Sequence, residues 1–496
     1  MTSMHFPVYI LMLLLGYAVI IPLQRKLSGK RFQLGILLVL GVTVILAILE
    51  LDNVIRGSAY RYIFGSYTRG IGIEFIVDEF SALMTLIVLI LAILIVIYSF
   101  KDLDHEIHPT RIKGYYTLVF LMLFSLVGMI FTNDIFNLYV FVELLSLTSV
   151  AIIAIKNTKD SIFASMKYLI MGTIGSVTVL MGSALIYMVT GHLNMTLING
   201  EIGMVWEQYP INILLAMGFI LTGFGIKAAM FPLHNWLPDA HSSAPTPSSA
   251  LLSGLVVKGY VFSMAKLMYR VVGKDISTEI GITRFIIIFA VMGMIMGSVF
   301  ALSQRDIKRR LAYSSVAQIG YIFMGLALAT ELGISSALFH VISHAFMKTA
   351  LFLSAGSIIF LTGIRDVREL DGIAYEMPIT MGVFAVGAMG MIGIPGTSGF
   401  MSKWYLGLAV LDAGYPELLI VILLSSFLNA LYYMPIIISA YIAEHPDRSY
   451  APEGTCSPLP MRFSMALVAV GILLIGLFPN IVMDVIQLAV PTFVNL

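Results

Sequence analysis

The sequence is poor in the residues that soluble chemistry needs. It has one cysteine in 496 residues, three tryptophans, and only 11% charged residues. A single cysteine, Cys456, excludes an intrachain disulfide and any multi-cysteine iron–sulfur or zinc centre. No dinucleotide fingerprint, haem-attachment motif or cysteine cluster is present. No cofactor is therefore expected, and the chain itself offers no redox or other catalytic chemistry. The formal net charge of +1 gives no basis for nucleic-acid binding. What is abundant is apolar: 59% of residues, with a mean hydropathy of +0.95. A chain of this length cannot hide that much apolar surface from water in one soluble core, so the bulk of it belongs in lipid.

A membrane helix needs about 20 apolar residues. That rule predicts about 14 spans, near 5–24, 32–50, 78–99, 114–132, 135–154, 163–189, 211–231, 246–269, 283–302, 311–330, 334–361, 378–411, 416–441 and 462–480. The fold class is therefore an all-α polytopic membrane protein. The first run, Phe6 to Leu23, is followed by Arg25, Lys26, Lys30 and Arg31. It reads as a first transmembrane helix, not a signal sequence. A short surface hairpin is expected near Ile73 to Asp78. The seventh and twelfth spans are interrupted, the first at Pro232 and Pro238 and the second at Pro395 within Gly393-Ile394-Pro395-Gly396. Proline removes a donor and glycine loosens the helix, so both are expected to break there. In lipid, freed backbone groups must face protein or a wet cavity, which points to a transport path.

Basic residues sort by loop. Seventeen lie in odd-numbered connections, among them Lys101, Lys156, Lys308 and Arg365. Seven lie in even-numbered ones, counting Lys266 and Arg270 as helix ends. The positive-inside rule then puts the odd connections in the cytoplasm and both termini outside. The cytoplasmic set, including Lys26, Lys30, Arg305, Lys308, Arg309 and Arg310, suits anionic lipid headgroups.

Five lysines remain inside spans: Lys167, Lys227, Lys258, Lys348 and Lys403. Glu143 is the one acid in the middle of a span. Each such charge costs roughly 2.5–3.5 kcal/mol on insertion scales, so a set of six needs a reason. Lys167 stands near a helix start, where it can also snorkel to the interface. Lys227 and Lys403 lie beside the two breaks. Lys258 is mid-span, and Glu143 needs a cationic partner. His340, His344 and Lys348 recur every four residues and share one helix face. HxxxH spacing can chelate zinc, but the HExxH glutamate is missing and Lys348 lies one turn away, so no metal is expected. Histidine titrates near neutral pH, and a lysine held away from water binds its proton less tightly than one in water. The pattern fits a proton wire; a merely satisfied polar seam between helices is the alternative. Spacing also hints at a repeat. Glu143 precedes Lys227 by 84 residues and Gln318 precedes Lys403 by 85.

These motifs, taken together, resemble a known family. The segments are Asn133-Asp134-Ile135-Phe136 to Glu143, Lys227 to Pro238, Ser253 to Tyr260, Asp306 to Ser315, His340 to Lys348, and Gly393 to Lys403. They look like the antiporter-like subunits shared by Mrp cation/proton antiporters, membrane-bound hydrogenases and respiratory complex I, and they cover most of residues 114–441. The resemblance implies two inverted five-helix repeats with broken helices 7 and 12. The corresponding units are 1–110 (peripheral helices), 111–270 (first repeat), 271–441 (second repeat) and 442–496 (helix 14 and the C-terminus). It implies that Glu143 pairs with Lys227, that Lys258 is the central relay, and that Lys403 is the distal lysine. Accessory roles fall to Lys167, His234, His241 and Gln318. Lys403 stands where one complex I branch has glutamate, and Gln318 where several relatives have histidine. There is no long lateral helix after the fourteenth span. The Mrp-type D position and its hydrogenase counterpart are the most similar branches.

The expected function is translocation of protons, with sodium as an exchanged ion, alongside other membrane subunits in a prokaryotic cell membrane. A redox-driven proton or sodium pump is the alternative, with electron transfer left to partner subunits. A stand-alone carrier of an organic solute fits poorly with a lysine row and few other polar groups in the spans.

Overall fold

The computed structural model describes residues 5–24, 29–66, 70, 72–443 and 456–494. Arg25, Lys26, Arg69 and Arg448, which are among the basic residues of the connections, lie outside the described residues. Helix dominates. Twelve described helices are long and apolar enough to cross a membrane. The two other expected spans differ from that pattern. One is the helix Ile307–Ala327, whose first turn is basic. The other is a pair of shorter helices, Pro378–Ile392 and Ser398–Asp412. A further amphipathic helix, Met195–Gln208, fills the connection after the sixth span. One departure from an all-helical chain is an antiparallel hairpin of Tyr60–Ile63 and Glu74–Val77. Its Asn133 N–H···O=C Glu74 bond (2.8 Å) docks it on the loop after the fourth span.

The helix starts follow the sequence. Asp134 accepts from Asn137 N at 2.7 Å, and Asp306 accepts from Arg309 N at 2.9 Å. Each carboxylate thus caps orphan amides at the start of a long helix. The same two loops make matching bridges, Asp134 with Asn194 and Asp306 with Asp366.

Packing explains the glycines. The helix Lys159–Thr190 runs against Pro210–Lys227. A Cβ on Gly223 would stand 2.5 Å from the Gly175 carbonyl oxygen, and one on Gly182 would stand 2.6 Å from that of Ala216. Without a hydrophobic drive between helices in lipid, such close backbone contact is what holds neighbours together. Glu331–Thr362 lies centrally, against Ile307–Ala327, Ser398–Asp412, Pro378–Ile392 and Leu459–Leu477. Thr246–Val272 is buried along its whole apolar window. These two enclosed helices carry Lys258 and the His/His/Lys face.

Both proline-marked segments stop being helical. Pro210–Lys227 ends at Lys227, Ala229 takes a left-handed φ of 56°, and helix resumes at Leu237. Pro232 lies in the link and Pro238 in the first turn of the resumed helix, where its missing N–H costs nothing. Pro378–Ile392 ends at Gly393, whose φ of 94° is one that L side chains rarely adopt, and helix resumes at Ser398 beyond Pro395.

Candidate functional site: a buried lysine and histidine row

Lys227 is the last residue of its helix and is fully buried. Its Nζ donates to Ser146 Oγ at 2.9 Å and lies 5.7 Å from the Tyr260 ring centroid. Glu143, one turn before Ser146, makes no ion pair with it, although its charge acts on the lysine. The pairing implied by the resemblance is therefore not the contact present here. Ser146 projects from the same helix one turn closer and takes the ammonium's hydrogen bond. Glu143 Oε1 is shielded from solvent and has no hydrogen-bond partner.

Lys258 sits just after a wide π-helical turn, Leu252–Val256, and donates to the Ser253 carbonyl. Such turns recur at functional sites because they rearrange the carbonyl ladder. On the central helix, the His340 and His344 rings stack 5.9 Å apart. His340 Nδ1 meets Ser402 Oγ at 2.8 Å, and the Tyr321 ring stacks on the other side at 5.6 Å. Lys348 donates to the Leu311 carbonyl at 2.6 Å and also to Ser314. Lys403 donates to the Met391 and Ile392 carbonyls, at 2.8 and 2.9 Å, and to Ser426 Oγ at 3.0 Å. It thereby satisfies carbonyls freed where the helix stops. Its ammonium also lies 4.8 Å from the Tyr321 ring centroid.

Lys258 acts on His340, His344 and Lys348, and Lys403 acts on His340. Several polar atoms along this row are buried without a protein partner: both nitrogens of His344, Nε2 of His340, both amide atoms of Gln318 and both nitrogens of His241. Such atoms are costly unless water reaches them, so the interior here is suited to bound water. Gln318 lies on its helix one turn from both Ser314 and Tyr321, the neighbours of Lys348 and His340. His241 stacks on Phe352 at 4.8 Å and feels Lys258, Lys308 and Lys348.

Two accessory candidates fall elsewhere. Lys167 is partly exposed and binds Asp239 at 2.6 Å, which also holds Arg309 at 2.8 Å. It reaches a surface ion-pair cluster instead of the interior row. His234 stacks against Phe231 and Phe300, at 5.3 and 6.0 Å between ring centroids.

Three buried charges placed in loops or at helix ends by the sequence need correction. Lys266 is buried, where it donates to the Met129 and Ile130 carbonyls at 3.1 and 3.0 Å and caps the helix Ile112–Phe131. Arg270 is buried in an ion pair with Asp78. Lys308 is buried against Glu106 at 4.0 Å and the Ala244 carbonyl at 3.1 Å, so it is not available to lipid headgroups. Each escapes solvent because a carboxylate or carbonyl cluster meets it. The available sequence signal was the i, i+4 spacing of Asp102 and Glu106 at the end of the third span.

Residues 132–429, which include every row residue from Glu143 to Lys403, match the family described as NADH:quinone oxidoreductase/Mrp antiporter, TM. The chain belongs to that family. Relatives in it include the N subunit of the NADH-quinone oxidoreductase of Desulforudis audaxviator (strain MP104C), 36% identical, covering 98% of this chain and 99% of that protein. The Na(+)/H(+) antiporter D chain of Alkalihalophilus pseudofirmus is 31% identical, covering 78% of this chain and 75% of that protein. Among solved structures, a chain of the membrane-bound sulfane sulfur reductase, an archaeal respiratory membrane complex, superposes with a TM-score of 0.90. It is 29% identical, with 98% of this chain and 97% of that chain covered. Membership in the family makes this an antiporter-like, multi-pass membrane chain of the kind found as a subunit in such assemblies. Asp102 and Glu106 fall outside the family-matched residues.

Proposed function

We propose that this chain is an ion-translocating subunit of a multisubunit prokaryotic membrane complex. It moves protons through Glu143, Lys227, Lys258, His344, His340, Lys348 and Lys403. The observation that carries the reading is the run of buried lysines and histidines along two enclosed helices, with unpaired ring nitrogens on His340 and His344. A charged Glu143 drawn to Lys227 holds that lysine as an ammonium. When the lysine turns to Ser146, as here, the hold weakens and its proton can move inward past Tyr260 to Lys258. The histidines then carry it towards Lys403, with water as the intermediate donor and acceptor. Coupling to a neighbouring subunit acts through charge at the end of the row and is reciprocal.

The division into inverted repeats over 111–270 and 271–441 draws support from the matched bridges, Asp134 with Asn194 and Asp306 with Asp366. Both join residues 60 apart in sequence. In the proposed orientation, with both termini outside, they lie on opposite faces of the membrane.

The sequence reading favours an Mrp-type assembly, with the chain in the D position and sodium exchanged for protons. The antiporter relative from Alkalihalophilus pseudofirmus supports it. The longer and more identical match to an oxidoreductase N subunit favours the second reading, a redox-driven pump whose electron chemistry lies in partners. Copurifying subunits decide between them, since iron–sulfur or nickel–iron partners belong to the second alone. The row itself is tested by Lys258→Ala in the native assembly reconstituted in vesicles. Loss of proton transport with intact assembly is expected. A wild-type rate would refute the reading.

A further inference from the structure

Beyond the family-matched residues, two acids sit where the buried row approaches water. Asp102 and Glu106 are one turn apart at the end of the helix Glu79–Glu106 and share a face. With Lys156, Lys308 and Arg365 they line a pocket of about 250 Å³. Lys156 and Arg365 also line an adjoining open pocket of about 600 Å³, so the small pocket abuts a wide polar mouth.

The two acids are differently employed. Glu106 is fully engaged. It pairs with Lys156, lies 4.0 Å from Lys308, and accepts from Thr246 N at 3.1 Å and Thr246 Oγ1 at 2.9 Å. Asp102 is 1% exposed, makes no ion pair, and its Oδ2 has no hydrogen-bond partner. A carboxylate stripped of water without a bonded cation is costly, whereas a carboxyl that takes and loses a proton fits the place. The other titratable groups around it are Glu106, Lys308, Lys156, Tyr98, Tyr115 and Tyr116, and His105 and Arg365 also line the pocket.

The inner side leads to the row. Lys308 holds the Ala244 carbonyl and Glu106 holds Thr246. Those residues form the link between the short helix carrying His241 and the helix carrying Lys258. His241, with both nitrogens unpaired, is within electrostatic reach of Lys308, Lys258 and Lys348.

The geometry points to a proton-exchange site at Asp102 and Glu106 that joins the open pocket to Lys258 by way of His241. A hydronium in the pocket gives its proton to the Asp102 carboxylate and leaves as water. The new O–H bond breaks when the proton passes inward to a neutral imidazole nitrogen of His241, directly or through one water. Glu106, balanced by Lys156 and Lys308, sets the local charge and is a positioning residue. This inference rests on the proposed lysine row.

The test uses the native assembly in vesicles. Asp102→Asn is expected to slow proton transport by on the order of 100-fold, the scale on which a positioned proton-transfer group acts. Asp104→Asn, the same charge change at an exposed neighbour on the same helix, is expected to leave it unchanged. Infrared difference spectra between acid and alkaline pH should lose a protonated-carboxyl C=O band in Asp102→Asn and keep it in Asp104→Asn. Asp102→Glu keeps an acid and should recover part of the rate. Equal behaviour of the Asn and Glu variants overturns the proposal. So does a wild-type rate in Asp102→Asn while Lys258→Ala is inactive, and that outcome leaves the row standing. Normal transport in Lys258→Ala removes the row and this site with it.

Discussion

The Lys227 ammonium donates to Ser146 Oγ across 2.9 Å, one helical turn beyond Glu143. A serine and a glutamate on one helix thus compete for a single lysine. A hydrogen bond to a charged group contributes about 1.5–3 kcal/mol, roughly tenfold or more in the balance between two partners. Ser146→Ala is expected to send Lys227 back to Glu143 and slow coupled transport about tenfold. Glu143→Gln is expected to abolish it with assembly intact. Initial rates of acidification in vesicles measure both. A normal rate in Glu143→Gln contradicts the pairing step.

The Asp78–Arg270 pair tests stability apart from transport. Both side chains are buried, and Asp78 also caps its helix by accepting from Ser81 N at 2.7 Å. Removing one partner strands a buried charge, a loss of about 3–5 kcal/mol. Arg270→Ala should therefore lower the melting temperature of the assembly. The double change Arg270→Met with Asp78→Asn, which strands no charge, should recover much of it. Equal melting of single variant and native protein would show that water reaches the pair.

Close backbone approach gives a packing test. Gly223→Ala places a methyl 2.5 Å from the Gly175 carbonyl oxygen, and the two helices must move apart at a cost of about 1–3 kcal/mol. Gly41→Ala meets nothing within 4 Å and should be neutral or slightly stabilising. Thermal unfolding in detergent compares the two. If both variants melt alike, the helix contact at Gly223 is looser than that distance implies.

Lys227, Lys258, Lys348 and Lys403 stand out in sequence because a lysine among apolar neighbours violates the hydropathy of its own window. The His340, His344 and Lys348 face is equally visible, since spacing by four is a helical property. Gly393, Pro395 and Pro232 mark where helix stops because the effect of glycine and proline is local. The buried ion cluster was hidden for the opposite reason. Lys308 belongs to a run with Arg309 and Arg310, and Asp102 and Glu106 lie in the polar stretch Lys101 to Glu106 that closes an apolar span, so each window reads as loop. Their burial comes from helices far apart in the chain that meet in space, as Glu106 does with Thr246. The choice of Ser146 over Glu143 by Lys227 is likewise a matter of angstroms that spacing cannot express.

Lys403 combines two duties that different substitutions should separate. Its ammonium satisfies the Met391 and Ile392 carbonyls at the end of an interrupted helix, and it also ends the proposed proton row. Lys403→Arg retains a permanent cation with donors for both carbonyls, but a guanidinium does not give up its proton in a protein. That variant is expected to assemble and melt near the native temperature while transporting almost nothing. Lys403→Met removes the donor to the Ile392 carbonyl, while the Met391 carbonyl keeps its bond from Asn429 Nδ2 at 3.0 Å, so the cost is about 1–3 kcal/mol. It should lose both transport and stability. Melting curves and vesicle acidification on the same preparations supply the comparison. If Lys403→Arg transports like the native complex, no proton leaves this side chain during the cycle, and the row must end at His340 or Lys348.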